Sequence, residues 1–482
     1  MENIKKKLQQ NLKIRRKEML RGKSVIELTD VRTNTKEIYE DENLITNAVP
    51  DLLRLNPSGL MYPVGEELVT KYHEEIFPIA NKCYGGILLF ENPLEEDSNK
   101  IIAPSDNPII GYASNDVNDT DNSKRGSANL TESKPIDRGY KFIWDFSTSQ
   151  GNGRISSLAL THYRGGKSFY GNSYDRESGI LMLNKVSTKT DKAVLSYYAG
   201  LVEVNLKDQS FYSIWPMPDR QIQIAKIKES FFNIGLNDTI LGMPTQDVEV
   251  NYIKPEKFFP SRYSINCSFH DGEDGYWYGF STEGETNSRG NAEIYTIKIK
   301  KEDFSFTEDK WVLENVQLQI IGRYPSSENE SHYRTIGSVV RGKYLYCLNY
   351  KKNGVYKINI NNPVDITLIN LESEVDILRG EYTNQYFYKY GDYIATRQFL
   401  IDKNDNVIYT ATVDMKFLTT PLINIGPFMI GFDTDAGYGN YTLYKLLFLH
   451  TQYLGTINNL SSPILKTADK TMKITYTLTE EE

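Results

Sequence analysis

The sequence predicts a mainly β protein, with an N-terminal helix, a β-sandwich-like platform closed by the C-terminal strand, and an inserted β-propeller-like domain. The first observation is composition: 34 Tyr and 20 Phe stand beside 33 Gly and 18 Pro among 482 residues. Aromatic residues favour strands, and Gly and Pro favour the turns between them. The second is that short strand pairs separated by turns recur from about residue 180 onward. The third is that only the first twenty residues carry a strong helical pattern.

Charge and cysteine content exclude several classes of protein. The balance of 55 Lys and Arg against 63 Asp and Glu gives a net charge of −8, so we expect no nucleic-acid partner. No apolar run approaches the roughly 18 residues of a membrane span, and the N-terminus lacks the apolar core of a secretory signal. Cys83, Cys267 and Cys347 lie far apart, which argues against a disulfide scaffold or a cysteine zinc site and fits folding in a reducing compartment.

The first element, residues 1–22, is predicted to be a basic amphipathic helix that acts as an attachment arm. Ile4, Leu8 and Leu12 form an apolar stripe among lysines and arginines, and Gly22 ends the pattern. Such a helix can lie on a membrane or in nucleic acid. We favour packing of the stripe on a neighbouring subunit.

The platform is predicted to comprise residues 23–178 plus 455–482. Its first hairpin turns at Thr33 and Asn34, and a second hairpin is predicted at Gly151-Asn152-Gly153, since Asn-Gly between alternating segments favours a tight turn. Residues 95–138 are polar and lack periodicity, so we predict a long surface loop. The alternating segment 472–479 is predicted to return and pair with the N-terminal β region.

Residues 179–454 are predicted to form the propeller-like domain. Aromatic-rich strand pairs recur without long helices; the segment that begins at Tyr276, for example, is predicted to pair with the segment that begins at Glu293. A period of roughly 40 to 50 residues would give about six blades. A pair of β-sandwiches is the alternative, because the repeats carry no strict signature.

Sequence motifs give no support to catalysis or to a bound metal or cofactor. Nucleotide-binding, serine-hydrolase and zinc-protease patterns are absent, so we expect a protein that is not an enzyme. Residues 402–406 open like a calcium loop, but the twelfth position is Val413 rather than Glu, which favours a turn. Residues 271–275 and 433–437 are predicted to be similar acidic turns, and the scattered histidines to be structural.

Aromatic side chains are the candidate binding residues. Flat rings with polar tips suit sugar stacking and protein interfaces, although most of the tyrosines must pack between blades. The proposed surface consists of Tyr276, Trp277, Tyr278, Tyr386 and Tyr388.

Three segments carry a resemblance to a known group of proteins. Residues 26–47, 139–162 and 460–479 resemble the beginning, an internal segment and the end of tail-associated proteins from phages and phage-tail-like bacteriocins of Gram-positive bacteria. The resemblance implies a structural or receptor-binding component of the virion, such as a tail fibre or baseplate protein. It brings no active-site residues, and the middle of the chain lies outside it.

These observations lead to one preferred function and two alternatives. The preferred one is a non-enzymatic adhesin of the viral tail or baseplate, made in the host cytoplasm. Its propeller-like domain, residues 179–454, would be the receptor-binding domain and would mediate host adsorption by binding a glycan or protein on the surface of a Gram-positive cell. Its N-terminal and C-terminal regions would contact other virion subunits, and we expect a homo-oligomer, with a trimer as one arrangement. The alternatives are a collar, neck or head decoration protein without receptor binding, and a propeller hydrolase acting on glycans.

Overall fold

The computed structural model shows mainly strands and connecting turns in the residues that it describes. The predicted N-terminal helix lies outside the described residues except for Leu20, Arg21 and Gly22, which begin the first strand instead. The described residues are 20–53, 79–114, 122–166, 180–190, 197–198, 200–205, 210–217, 219–228, 247–259, 266–282, 290–321, 335–375, 387–396, 398–409, 423–437 and 440–480.

The elements before the propeller are two short helices, α1 (Ala48–Leu53) and α2 (Ile79–Cys83), and eight strands. The strands are β1 (Leu20–Asp30), β2 (Lys36–Ile45), β3 (Gly86–Phe90), β4 (Ile109–Ser114), β5 (Arg125–Ala128), β6 (Lys134–Ile136), β7 (Gly139–Phe146) and β8 (Gly153–Thr161). The first strands of the propeller are β9 (Ile180–Thr190), β10 (Leu201–Asn205), β11 (Ser210–Pro216), β12 (Ile222–Lys228), β13 (Val248–Ile253), β14 (Asn266–Asp271), β15 (Tyr276–Thr282), β16 (Asn291–Lys300), β17 (Phe306–Glu314), β18 (Ile320–Ile321) and β19 (Thr335–Ile336). Its later strands are β20 (Ser338–Arg341), β21 (Tyr344–Leu348), β22 (Gly354–Asn359), β23 (Ile366–Asn370), β24 (Tyr388–Tyr390), β25 (Tyr393–Ala395), β26 (Phe399–Ile401), β27 (Val407–Tyr409), β28 (Ile423–Ile425), β29 (Phe428–Gly437) and β30 (Asn440–His450). The chain ends with β31 (Thr456–Lys466) and β32 (Lys470–Glu480).

The platform is one closed barrel of nine strands. The strand order is β32-β1-β2-β31-β8-β3-β4-β5-β7, the pairing of β7 with β32 closes the ring, and β6 lies beside β7. The predicted return of the C-terminal strand to the N-terminal hairpin is confirmed, since Ile474 lies opposite Ile26. The sequence suggested a sandwich-like platform because two packed sheets and one closed sheet have the same alternation of inward and outward residues.

Two local predictions for the platform are wrong. β7 and β8 do not pair, because β7 pairs with β5, β6 and β32 while β8 pairs with β3 and β31. The glycine-containing turn therefore connects strands that are apart in the barrel, where the buried Lys466 ammonium donates to the carbonyl of Ser147 at 2.9 Å and to Asn152 Oδ1 at 2.7 Å. The predicted loop 95–138 contains the short strands β4, β5 and β6, whose polar residues gave no strand period.

The inner faces of β1, β7 and β32 form the centre of the barrel core. Ile26, Trp144 and Ile474 are almost completely buried and lie on neighbouring strands. The Trp144 indole N–H donates to the carbonyl of Gly85 at 2.9 Å, so the largest side chain of this group has its polar atom satisfied. Strict alternation in these strands thus produces one continuous apolar interior.

The strands between β8 and β31 form a five-bladed propeller-like arrangement, in agreement with the predicted class. Within the described residues, blades 1 to 4 are the four-stranded sheets β10–β13, β14–β17, β20–β23 and β24–β27, and blade 5 is β28-β29-β30-β9. The first strands of successive blades contact one another, and β28 contacts β10, so the ring is closed. Because β9 completes blade 5, Ile180 lies opposite His450 and the chain enters and leaves the propeller side by side.

Five blades occupy the chain length from which we predicted about six. The blades begin at Leu201, Asn266, Ser338, Tyr388 and Ile423, so their spacing in the sequence is irregular. A mean period assumes connections of constant length, and here the connections differ. Strands β18 and β19 also lie between blades 2 and 3 in the sequence, where they pair with each other and belong to no blade.

Barrel and propeller share a core. Tyr453 and Leu52 from the barrel side belong to the same buried cluster as Phe432 and Leu449 of blade 5. At the edge of this contact, the Ser105 N–H donates to Asp392 Oδ1 at 3.2 Å, and Lys403 forms an ion pair with Asp106 at 2.6 Å. The propeller is therefore held to the barrel by side-chain packing and polar contacts as well as by the two covalent connections between them.

A matched pair of glycines can measure how tightly this junction is packed. Gly391 and Gly342 both have φ of +57°, but a Cβ at Gly391 would lie 2.7 Å from Ile102 Cγ2, whereas a Cβ at Gly342 would meet nothing within 4 Å. We expect Gly391→Ala to lower the free energy of unfolding by about 1–3 kcal/mol more than Gly342→Ala. Both substitutions place alanine at a positive φ, but only the alanine at position 391 would crowd Ile102 at the junction. Urea denaturation of the two variants tests this, and equal losses would contradict it.

Candidate functional site

A groove between blades 1 and 2 brings together aromatic and charged side chains. Its volume is about 460 Å³. We call it the inter-blade groove, and it is lined by Glu203, Asn205 and Tyr212 of blade 1 and by Asp274, Gly275, Tyr276, Trp277, Lys300, Lys301 and Glu302 of blade 2.

The register of one hairpin builds the blade 2 side of the groove. Tyr276 at the start of β15 lies opposite Lys300 at the end of β16. The Lys301 N–H donates to the carbonyl of Gly275 at 3.0 Å, which holds the turn after β16 against the acidic turn before β15. That acidic turn, 271–275, was predicted, and Glu273 and Gly275 adopt positive φ within it. Local pairing thus places lysines beside carboxylates and rings at one edge of the blade.

Lys301 connects the two blades at the floor of the groove. Its ammonium lies 2.6 Å from Asp271 Oδ1 and 2.9 Å from Glu203 Oε2. The Trp277 indole N–H also donates to Glu203 Oε2, at 2.7 Å. Burial opposes the charge of Lys301, but hydrogen bonds from its ammonium to Asp271 and Glu203 raise its pKa. Glu203 is thereby held in position by two donors from the neighbouring blade.

Of the four predicted aromatic residues that the structure describes, Tyr276 alone is not buried. Tyr276 is half-buried and lines the groove at the edge of blade 2, with its side chain packed on the core between blades 2 and 3, whereas Trp277 is fully buried. Tyr278 is buried, and its hydroxyl donates to Asp274 Oδ2 at 2.7 Å. Tyr388 is buried in the core that blades 4 and 5 share, and Tyr386 lies outside the described residues.

The expectation of an exposed aromatic surface is therefore wrong for Trp277, Tyr278 and Tyr388. Successive residues of a strand point to opposite faces, so Tyr276 and Tyr278 share one face and Trp277 the other. Lys298 covers that shared face, with its ammonium 4.0 Å from the Tyr276 ring centroid. The side chains of consecutive aromatic residues in a blade strand are divided between two blade interfaces, so they cannot form one binding surface.

Sequence reasoning missed the blade 1 contribution to the groove. Tyr212 packs against Trp277, with ring centroids 5.2 Å apart, and Glu203 accepts the indole N–H. Lys300 and Glu302 could have been found, because the predicted pairing of the two strands places the turn after β16 beside Tyr276. Glu203 and Tyr212 could not, since only the tertiary structure makes blades 1 and 2 neighbours.

The other acidic segments serve structural roles where side chains are described. The predicted turn at 402–406 is confirmed: Asp402 accepts the N–H groups of Asn404 and Asn406, and Asp405 pairs with Arg341 and Lys357. The predicted turn 433–437 is wrong, because these residues belong to β29 and pair with β30. In the described part of the chain, no group of three or more His, Cys, Asp or Glu side chains is placed to hold a metal ion.

Buried histidines and cysteines agree with their predicted packing roles. His162, His270 and His450 are buried, and His332 lies outside the described residues. The three cysteines are buried free thiols, and burial raises the pKa of Cys83 to about 12.

Among the described residues, no helix has the length and apolar character needed to cross a bilayer.

Comparison with known proteins adds little. No protein-family model matches the sequence, and no curated protein matches it. Two solved structures of AztD from Citrobacter koseri, one of them the apo protein, align with 9% identity and TM-scores of 0.24 and 0.22. The alignments cover 58% of this chain and 59% and 56% of those chains, less than two thirds of their length. Likeness at this level carries no argument about function.

Proposed function

We propose that this chain is a non-enzymatic adhesin of a phage tail or baseplate, or of a phage-tail-like particle. The barrel attaches the protein to the particle, and the propeller binds a glycan or protein on the surface of a Gram-positive cell. The protein is made in the host cytoplasm and becomes part of the virion when the particle assembles there.

One observation carries this proposal: the segments that resemble tail-associated proteins come together in space. Residues 26–47, 139–162 and 460–479 contribute to β1, β2, β7, β8, β31 and β32, all strands of the barrel. The segment without resemblance forms the propeller, inserted between β8 and β31. A shared attachment domain with a distinct inserted domain is the arrangement expected when only the inserted part meets the host.

The inter-blade groove supports glycan binding by the propeller. Tyr212 is half-buried and lines the groove beside Glu203, Asn205 and Glu302. Ring surface next to planar hydrogen-bonding groups suits a saccharide, which offers apolar C–H faces and hydroxyl groups. Repeated copies on a particle would compensate for a weak single site.

Tyr212→Ala is expected to lower the affinity of the protein for host cells about tenfold, since stacking on one ring contributes about 1–1.5 kcal/mol. Tyr212 also packs on the buried Trp277, with ring centroids 5.2 Å apart, so adsorption is compared at a temperature at which this variant and its control are shown to be folded. Adsorption of particles carrying the variant measures the effect. Tyr252→Ala is the control, because Tyr252 is 54% exposed on blade 1 outside the groove. Equal adsorption by both variants would contradict the groove as the binding site.

Immunogold electron microscopy of intact particles, with antibody against residues 180–454, tests the position of the protein. Gold at the baseplate or fibre tips agrees with an adhesin. Gold at the collar or head would replace this proposal with a decoration protein that binds no receptor. Particles that lack the protein would then adsorb normally.

A further inference from the structure

The inter-blade groove carries an excess of negative charge. Among the described residues, five carboxylates line it or contact its lysines, against three cations: Lys300 and Lys301 line it, and the Lys298 ammonium lies 4.0 Å from the centroid of the Tyr276 ring. The carboxylates are Glu203, Asp271, Asp274, Glu302 and Asp303.

Both lysines that line the groove are already neutralised within the protein. Lys300 lies 2.8 Å from Glu302 and 3.6 Å from Asp303. Lys301 contacts Glu203 and Asp271 at 2.9 Å and 2.6 Å. A phosphate or carboxylate ligand would have to separate one of these pairs and would then face the remaining carboxylates, which repel it.

Hydroxyl and amine donors fit the groove better than anions do. A carboxylate is an acceptor only, so Glu302 and Asp274, which are exposed at the rim, can each receive hydrogen bonds from a ligand. Vicinal hydroxyl groups of a sugar supply such donors, and a free amine adds electrostatic attraction. The half-buried ring of Tyr212 offers apolar contact to the same ligand.

We infer that the inter-blade groove selects an uncharged or amine-bearing saccharide and rejects polyanionic polymers. This inference rests on the proposed function and names the ligand class of its site. Selection follows from net charge and from donor and acceptor complementarity, so it does not depend on which sugar ring is bound.

The test uses polysaccharide released from the walls of the cells to which the particle adsorbs, separated by anion exchange into an unretained and a retained fraction. The full-length protein is bound to whole cells, and each fraction is added as competitor. We expect the unretained fraction to compete at least tenfold more strongly by mass. Stronger competition by the retained fraction, or competition by neither, would overturn the inference.

A charge reversal separates the groove from the rest of the surface. Glu302→Lys is expected to raise competition by the retained fraction at least threefold, because it adds a cation at the rim. Glu314→Lys, an exposed change on the outer strand of the same blade, should leave competition unchanged. Equal effects of the two changes would also overturn the inference. Adsorption of Tyr212→Ala particles tests the proposed function separately, because a groove that binds an anionic ligand would still need the Tyr212 ring.

Discussion

Replacing Arg341 with methionine is expected to lower the free energy of unfolding of the propeller by about 2–4 kcal/mol. The Arg341 guanidinium joins blade 3 to blade 4: Nη1 donates to the carbonyls of Asp392, Ile401 and Asp402 at 2.9, 3.1 and 2.7 Å. Its Nη2 donates to Asp405 Oδ1 at 2.8 Å. The side chain is only 15% exposed, so water cannot replace these donors without rearrangement.

Urea denaturation followed by tryptophan fluorescence measures this loss. Methionine retains much of the apolar stem, so the change isolates the hydrogen bonds from the packing. Lys351→Met, an exposed change in the same blade, is the control and should cost less than about 0.5 kcal/mol. A loss below about 1 kcal/mol for Arg341→Met would show that the blades do not depend on this guanidinium.

Acid is expected to destabilise the propeller through His270. Burial, together with the nearby positive charge of Lys389, lowers the pKa of His270 to about 3, and its Nε2 lies 3.1 Å from Ser338 Oγ. In the unfolded chain the His270 imidazole binds a proton near pH 6.5, whereas in the folded chain it stays neutral at that pH. The contribution of neutral His270 to the free energy of unfolding is therefore fully present above about pH 6.5. It falls by about 1.4 kcal/mol per pH unit as the pH decreases from about 6.5 toward 3. Between pH 7 and pH 4 the loss from this group is about 3 kcal/mol.

His270→Gln should remove this part of the pH dependence. Glutamine can place an amide near the position of Nε2 and still bond to Ser338, but it does not titrate. The free energy of unfolding of both proteins is measured by urea denaturation at pH 7 and pH 4. Carboxylates contribute equally to the two proteins, so the difference between their pH profiles reports on His270 alone. Parallel profiles would show that a protonated His270 is accommodated in the fold.

Strand identity and pairing within a blade were largely predictable. Alternation around Tyr276 and Glu293 predicted the pairing of β15 with β16, and the segment 472–479 predicted the return of the last strand. These features depend on neighbouring residues and short connections, where side-chain period and turn residues decide the outcome. The failure at Gly151-Asn152-Gly153 marks the limit of such reasoning: a suitable turn does not ensure a hairpin when β5 and β32 compete for the edges of β7.

The candidate site was only partly predictable. Tyr276 and its hairpin could be found from sequence, but whether Trp277 or Tyr388 is exposed depends on the blade packed against it. Glu203 reaches the groove from a strand more than seventy residues earlier in the chain, through the bond to the Trp277 indole. No local pattern records such a contact.

The sequence by itself determined the mainly β class, the strand pairs and the inserted arrangement of this protein. Only the tertiary structure decided that the platform closes as a barrel, that the ring has five blades, and that blades 1 and 2 form a groove. The physical reason is that local pairing is set by alternation and turn chemistry along a short stretch of chain. Closure and blade contacts depend instead on which of many long-range pairings buries the most apolar surface without leaving polar groups unpaired.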